Sequence, residues 1–320
     1  MKKAVKYIVD VPGSSGNFGC GYDVLAAALK IHNHFEFTLD AGSSGLAVSI
    51  SGFGKGEIAE DASNIIFRTA LPVWKKKSFN YRKLGRVSIK AVNRIPIMKG
   101  LGSSATARVA GALFANEAAG LGMDNNELLA VIAGEEGHYD NAAASLLGGV
   151  VICNPDRGVA RRVARQITKP LCIVVPDINV STSKARKMLP AKYSMGDVVF
   201  NLSRAAAIID GIYRGRFEPF MFEDRIHTPF RKKLIKGFDS VEKAALGAGA
   251  LGVFISGSGS AVGAVAQNAR EAAKIARAMK KAFAAVRVKA AVFVTGISPR
   301  GAVIRHVSRS AVGTQAGKQK

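Results

Sequence analysis

Four segments of the 320-residue chain gather residue types that handle phosphate, metal and small polar ligands. The sharpest is Lys99-Gly100-Leu101-Gly102-Ser103-Ser104-Ala105. It follows a strand-like run at 87–92 and opens a run with helical spacing. Glycines let a backbone approach a ligand closely. Serines at a helix start leave unpaired N–H groups and a dipole that favours an anion. Strand, Gly-rich loop and helix in that order make a phosphate cradle, although a Gly/Ser turn before a helix is also a common structural device. It is not a Walker loop, because no Gly-Lys-Ser/Thr follows at the required spacing, and this loop carries no G-x-G-x-x-G fingerprint. A hydroxyl of Ser103 or Ser104 could also reach Mg²⁺.

The second segment, Glu135-Glu136-Gly137-His138-Tyr139-Asp140-Asn141, is dense in polar groups and precedes an apolar run. It reads as a Mg²⁺ carboxylate beside a substrate-contacting His-x-Asp-Asn, or as a solvated loop with helix caps. The residues alone do not choose between Glu135 and Glu136. The third, residues 12–23, sets Asn17 and Asp23 among four glycines and implies tight turns around one carboxylate that can be buried. The fourth, residues 252–260, is a strand ending in Ser256-Gly-Ser-Gly-Ser260. It implies a turn or a close backbone approach to another loop or a ligand.

The elements that must carry these segments alternate without strict βαβ order, which favours an α+β fold. Strands are expected at 4–11, 35–39, 87–92, 150–153, 171–175, 252–255 and 290–295, with 24–30 either a strand or a short helix. Helices are expected from Ser103 to about Ala119, from Asp124 with a capping box to Glu127, and at 198–213, 239–246 and 271–283. A length of 320 residues favours two domains, divided here as 1–155 and 156–307, with 308–320 a flexible basic tail. No apolar stretch approaches the length of a membrane span, and the N-terminus lacks an apolar signal segment. The cysteines Cys20, Cys153 and Cys172 are odd in number and widely spaced. They point to reduced thiols and a cytoplasmic protein, without a structural metal site. The net charge of +23 raises phosphate neutralisation on nucleic acid. The basic residues form no single run and few aromatics interleave with them, so direct nucleic-acid binding is not expected. Such a surface would still gather a polyanion such as ATP.

In this order and spacing the loops resemble the GHMP kinases, from Val11 to about Val265. Several segments resemble the homoserine branch of that family: S-x-N-x-G-x-G-x-D at Ser15–Asp23, I-P-x-x-x-G-L-G-S-S-A at Ile95–Ala105 and E-G-H-Y-D-N at Glu136–Asn141. To these are added S-T-x-x-A-R-x-x-L-P at Ser181–Pro190, V-F-N-L-S-R-A at Val199–Ala205 and D-R-I-H-x-P-x-R at Asp224–Arg231. The chain departs from the family at Met98-Lys99, where small residues are usual, at Thr106 for alanine, and at Gly13 and Gly16, which should loosen the loop at 12–23. The extreme charge is not a family trait.

The resemblance implies a two-domain fold, the N-terminal part like ribosomal protein S5 domain 2 and the C-terminal part ferredoxin-like, with ATP and substrate meeting between them. It implies a phosphate loop at Lys99–Ala105 and Asn64 in the adenine pocket. Glu136, with Ser104, would hold Mg²⁺. For L-homoserine it implies Arg186 and Arg231 on the carboxylate, Asp23 or Asp140 on the ammonium, and Asn17, His138 and Asn141 completing the wall. Thr182 would orient the hydroxyl. Some related kinases place an aspartate base where Asn141 stands, which implies catalysis by alignment and charge stabilisation. The resemblance is compatible with a homodimer. The alternatives are a GHMP kinase for mevalonate, shikimate or a sugar, and a non-catalytic GHMP-fold protein that binds nucleic acid or another partner.

Overall fold

The strand expected at 4–11 does not stop at its proline and glycine. In the computed structural model, which describes residues 5–307, it runs on as β1 (Val5–Gly16), and a register shift between Pro12 and Ser14 absorbs the irregularity. The two runs at 24–30 and 35–39 are one strand, β2 (Leu25–Asp40), antiparallel to β1 with Val9 opposite Phe35. Then come β3 (Leu46–Gly52), α1 (Ile65–Lys76) and β4 (Arg86–Asn93). They lead to α2 (Ser103–Ala118), α3 (Asn125–Glu136), α4 (Asp140–Leu147), β5 (Val150–Asn154) and β6 (Val159–Ala164). The capping box of α3 forms as expected, with Asp124 and Glu127 each accepting the other's backbone N–H.

The second half contains β7 (Leu171–Pro176), α5 (Thr182–Lys187), α6 (Met195–Arg214), α7 (Thr228–Arg231) and α8 (Phe238–Gly247). It ends with β8 (Gly252–Ile255), β9 (Val262–Val265), α9 (Ala269–Ala285), β10 (Ala290–Thr295) and β11 (Val303–Val307). A seven-stranded sheet orders β11-β1-β2-β4-β3, with β5 on β2 and β6 on β5. A four-stranded sheet orders β10-β7-β9-β8. The division expected at 155–156 falls inside the β5–β6 hairpin, and β11 returns to β1, so the hydrogen-bonded sheets do not separate there. The tail at 308–320 lies outside the described residues.

The apolar alternation of β1, β2 and β4 turns Val9, Val11, Phe35, Phe37 and Ile89 onto one face, where α2 and α4 cover the sheet and α1 packs on α2 in the same cluster. Phe37 stacks on Phe114 of α2 with ring centroids 4.1 Å apart. Burying such a side chain is worth about 1.5–3 kcal/mol, so the helix that opens with the phosphate loop is fixed to the sheet. A second cluster joins the halves, with Phe18, Leu25, Ile95 and Leu101 against Ile173, Ile208, Phe222 and Phe254. A third lies beneath α8 and α9. The three cysteines are free and buried. Among the described residues no helix is long and apolar enough to cross a membrane.

Candidate active site

The loops at 12–23, 99–105 and 252–260 interlock where the halves meet. Ser14 N–H donates to the Leu101 carbonyl at 3.0 Å, Gly257 N–H to the Gly16 carbonyl at 2.9 Å, and Ala261 N–H to the Lys99 carbonyl at 3.0 Å. The Ser256 hydroxyl reaches the Gly100 carbonyl at 2.7 Å and the Ser15 hydroxyl at 2.9 Å. The fourth loop is therefore a backbone brace for the other two.

Gly100 and Gly102 adopt the left-handed region, with φ of 76° and 70°. A Cβ on Gly102 would lie 2.1 Å from Ser14 Oγ, and one on Gly100 would lie 2.1 Å from the Ser256 carbonyl. The absent Cβ atoms leave room for the neighbouring loops, and the backbone of both glycines lines the cavity between those loops. The cradle itself comes from α2, whose first turn follows Gly102 with no side chain capping it. The expectation that Gly16 loosens the loop at 12–23 is corrected, because a Cβ there would meet Asp140 Oδ2 at 2.2 Å and Asn141 Nδ2 at 2.7 Å.

These loops enclose a cavity of about 270 Å³. It brings together Asn17, Asp23, Lys99, Gly100, Leu101, Gly102, Ser103, Ser104, Glu136, His138, Asp140, Asn141, Thr182, Arg186 and Arg231. A second, mostly apolar cavity of about 300 Å³ adjoins it, sharing Met98, Ser103 and Ser104 and holding Asn64. Asn64 is committed elsewhere: its amide accepts from Ile66 N–H at 3.0 Å and donates to the Ala59 carbonyl, capping α1. Ala105 is fully buried and lines neither cavity.

At the start of α4, Asn141 Oδ1 accepts from the Ser14 hydroxyl at 3.0 Å and from Gly16 N–H at 3.1 Å. Asp140 is buried and faces His138 Nδ1 at 2.8 Å. Burial pushes its carboxyl up, yet the hydrogen bond and charge of His138 hold it below the ordinary aspartate value. Burial likewise opposes charge on His138, but Asp140 raises its pKa on balance. The Glu136 carboxyl is raised, chiefly by burial, with His138, Arg108 and the Ser104 hydroxyl pulling the other way. Its Oε2 is buried without a hydrogen-bond partner. Glu135 turns outward and faces Arg108 at 3.9 Å. An orphaned buried carboxylate oxygen beside Ser104 fits a Mg²⁺ ion held by one carboxylate, a hydroxyl and phosphate oxygens.

Arg186 comes from α5, which Ser181 caps, and Val180 N–H ties the preceding turn to the Met98 carbonyl at 3.3 Å. Arg186 forks onto Asp23 at 2.8 and 2.9 Å. Arg231 comes from α7, whose approach is folded around buried Asp224. That carboxylate accepts the N–H groups of Ile226, His227 and Thr228 and the Asn201 amide. The Arg231 side chain is 2% exposed, and its one hydrogen bond goes to the Gly257 carbonyl at 3.0 Å. Its Nε has no partner, and burial lowers its pKa. Lys99 Nζ is also buried without a hydrogen bond, its nearest anion being Asp177 at 3.6 Å.

Tyr22, Val180, Ser181 and Ser258 were outside the sequence expectation, yet the last three line the cavity and Tyr22 contacts both arginines. Ser258 belongs to the Gly/Ser loop at 252–260. An aromatic inside a Gly-rich loop gives no periodic signal.

Two family models match the chain, the GHMP kinases N terminal domain over residues 64–149 and the GHMP kinases C terminal over residues 208–285. A homoserine kinase from Picosynechococcus sp. is 35% identical over 305 residues, covering 92% of this chain and 98% of its own. One from Clostridium acetobutylicum is 36% identical over 268 residues, covering 82% and 88%. The crystal structure of homoserine kinase from Cytophaga hutchinsonii superposes with a TM-score of 0.84 at 30% identity, covering 95% of this chain and 98% of that one. The same α+β arrangement, matched in both halves and along nearly the full length of these relatives, makes this chain a member of the GHMP kinase family of ATP-dependent small-molecule kinases.

Proposed function

We propose that the protein transfers the γ-phosphoryl group of ATP to the side-chain hydroxyl of L-homoserine, giving O-phospho-L-homoserine and ADP. The observation that carries this reading is Arg231. Its guanidinium lines the cavity, is buried, and has no carboxylate partner among the described residues. A buried guanidinium calls for an anion. The cavity also offers Asp23 and Asp140 for a cation, so a ligand bearing both charges, an α-amino acid, fits better than a hydroxy acid or a sugar. The names of the relatives agree.

The phosphates of ATP lie over the first turn of α2, with Lys99 beside them and the base in the adjoining apolar cavity. Glu136 and Ser104 would hold Mg²⁺, which would screen the phosphate charge. Arg186 and Arg231 take the amino-acid carboxylate, and Asp23 takes the ammonium. Asn17 braces this wall, accepting Asp23 N–H and donating to the Gly257 carbonyl, both at 2.9 Å. Asn141 is not a base: both bonds to its oxygen come from the protein, so it offers only N–H donors. His138 is tied to Asp140, and Thr182 at the start of α5 faces the hydroxyl. Alignment in a closed polar site then supplies the rate.

The test is ADP release by the purified protein with Mg²⁺-ATP and a panel of L-homoserine, mevalonate, shikimate, galactose and no acceptor. Turnover with homoserine above the rest is expected. Turnover with mevalonate and none with homoserine rejects the reading.

A further inference from the structure

Tyr22 sits between the two arginines assigned to the substrate carboxylate. Its hydroxyl accepts from Arg186 Nη1 at 3.0 Å. Its ring lies 5.0 Å from the Arg231 guanidinium carbon and 5.7 Å from that of Arg186. The buried His227 ring lies 5.7 Å from the Tyr22 ring, tilted by 35°. The backbone is set too, with Tyr22 N–H bonded to the Cys20 carbonyl at 3.0 Å.

We infer that Tyr22 is a positioning residue for amino-acid recognition, holding Arg186 and Arg231 apart and aimed into the cavity while a zwitterion separates Arg186 from Asp23. This rests on the homoserine reading above. The Arg186 fork is filled by Asp23 through both of its terminal nitrogens, one of which is shared with Tyr22. An ammonium that takes over Asp23 draws that carboxylate away. Arg186 must then swing out or be retained by another acceptor, and the Tyr22 hydroxyl is already in place. Arg231 has no carboxylate partner among the described residues, so the electron-rich ring face tempers its charge before an anion arrives. One aromatic residue thus serves both arginines, the hydroxyl one and the ring the other.

The assignment separates the two parts of the side chain. Tyr22→Phe keeps the ring and removes the hydroxyl, and Tyr22→Leu removes both. Kinetics of the full chain are measured with L-homoserine and with 3-amino-1-propanol, the same amino alcohol without the carboxylate. For Tyr22→Phe the KM for homoserine rises about tenfold, as for a lost hydrogen bond to a charged group, while kcat and the KM for ATP stay within about twofold. The preference for homoserine over 3-amino-1-propanol in kcat/KM falls by about the same tenfold. Tyr22→Leu loses more of that preference than Tyr22→Phe. A Tyr22→Phe enzyme with unchanged homoserine KM overturns the inference. So does equal loss toward homoserine, 3-amino-1-propanol and ATP, which would make Tyr22 part of the scaffold. An unaltered enzyme that ignores homoserine overturns the reaction itself and this inference with it, whereas an active unaltered enzyme beside an unaffected Tyr22→Phe removes only the inference.

Discussion

Asp23 and Arg186 hold each other through two parallel hydrogen bonds of 2.8 and 2.9 Å, at the wall where an amino-acid substrate must dock. The cavity therefore contains its own carboxylate–guanidinium pair, in the pairing a zwitterion would make with the same two residues. Binding is an exchange of partners, in which the substrate ammonium replaces Arg186 on Asp23 and the substrate carboxylate replaces Asp23 on Arg186. Geometry of this kind makes Asp23 a binding group. Asp23→Asn should raise the KM for homoserine about 10²-fold, as expected when a close charge pair loses one member. The chemical step in single turnover at saturating homoserine should slow less than tenfold. Normal homoserine binding with a loss of about 10³ in that step would make Asp23 the general base.

Much of this site is legible because its parts are local in sequence. Glu136, His138, Asp140 and Asn141 fall within one turn and one helix start, so they reach one cavity however the rest is arranged. The phosphate loop is legible for the same reason. What the residues do to one another is less so. Gly102 reads as an opening for a ligand and Gly16 as slack in its loop, and only the folded chain shows Ser14 and Asp140 standing where their Cβ atoms would go. Asn64 lines the adjoining cavity, but its second task is not legible as such: a short polar side chain before an apolar run is also an N-cap, and here it caps α1. Tyr22 meets its arginines across more than 160 residues of chain. The return of β11 to β1 is likewise a pairing of distant segments that no local pattern records.

Arg231 links binding to a stability penalty. Its guanidinium is buried with only a carbonyl as partner, and burial lowers its pKa. Removing an uncompensated buried charge relieves desolvation. Arg231→Met should therefore melt at or above the temperature of the unaltered protein when neither is given homoserine. It should also raise the homoserine KM by a factor corresponding to about 2–4 kcal/mol, with the KM for ATP unchanged. A variant that melts early and loses ATP and homoserine equally would place Arg231 in the scaffold.

The two adjacent glutamates make an internal control for the metal. Glu136 faces the cavity with an orphaned oxygen, while Glu135 faces Arg108 outside it. Glu136→Gln should raise the Mg²⁺ concentration needed for half-maximal activity by tenfold or more, about 1.4 kcal/mol. Glu135→Gln should leave it within about twofold, since exposed ion pairs contribute little. A Mg²⁺ titration of ADP release reads both, and equal effects would dissolve the assignment.

The scaffold behind Arg231 should be pH-sensitive in two separate windows. His227 is fully buried, and burial lowers its pKa although nearby Asp224 pulls the other way. A histidine with a lowered folded pKa binds fewer protons folded than unfolded, so stability rises with pH through that interval and levels off above about 6.5. Asp224 is depressed despite burial, with His227 and the Asn201 amide the leading causes and the backbone N–H groups of Thr228 and Ile226 adding to them. Its contribution is complete above the ordinary aspartate value near 3.9 and is lost as pH falls through the lower folded value. Acid thus weakens the Arg231 loop first by charging His227 and only later by protonating Asp224. His227→Gln removes the first effect and weakens the second, which the Asn201 amide and the backbone N–H groups of Thr228 and Ile226 still support. In urea melts it should be less stable than the unaltered protein at pH 8, and the gap should narrow at pH 5.5, where the unaltered protein bears the strain of charging a buried imidazole. Because the comparison is between variants at each pH, titration of His138 and other groups cancels. A gap of the same size at both pH values would show that His227 does not titrate differently on folding, and the two-window account of this loop would have to be given up.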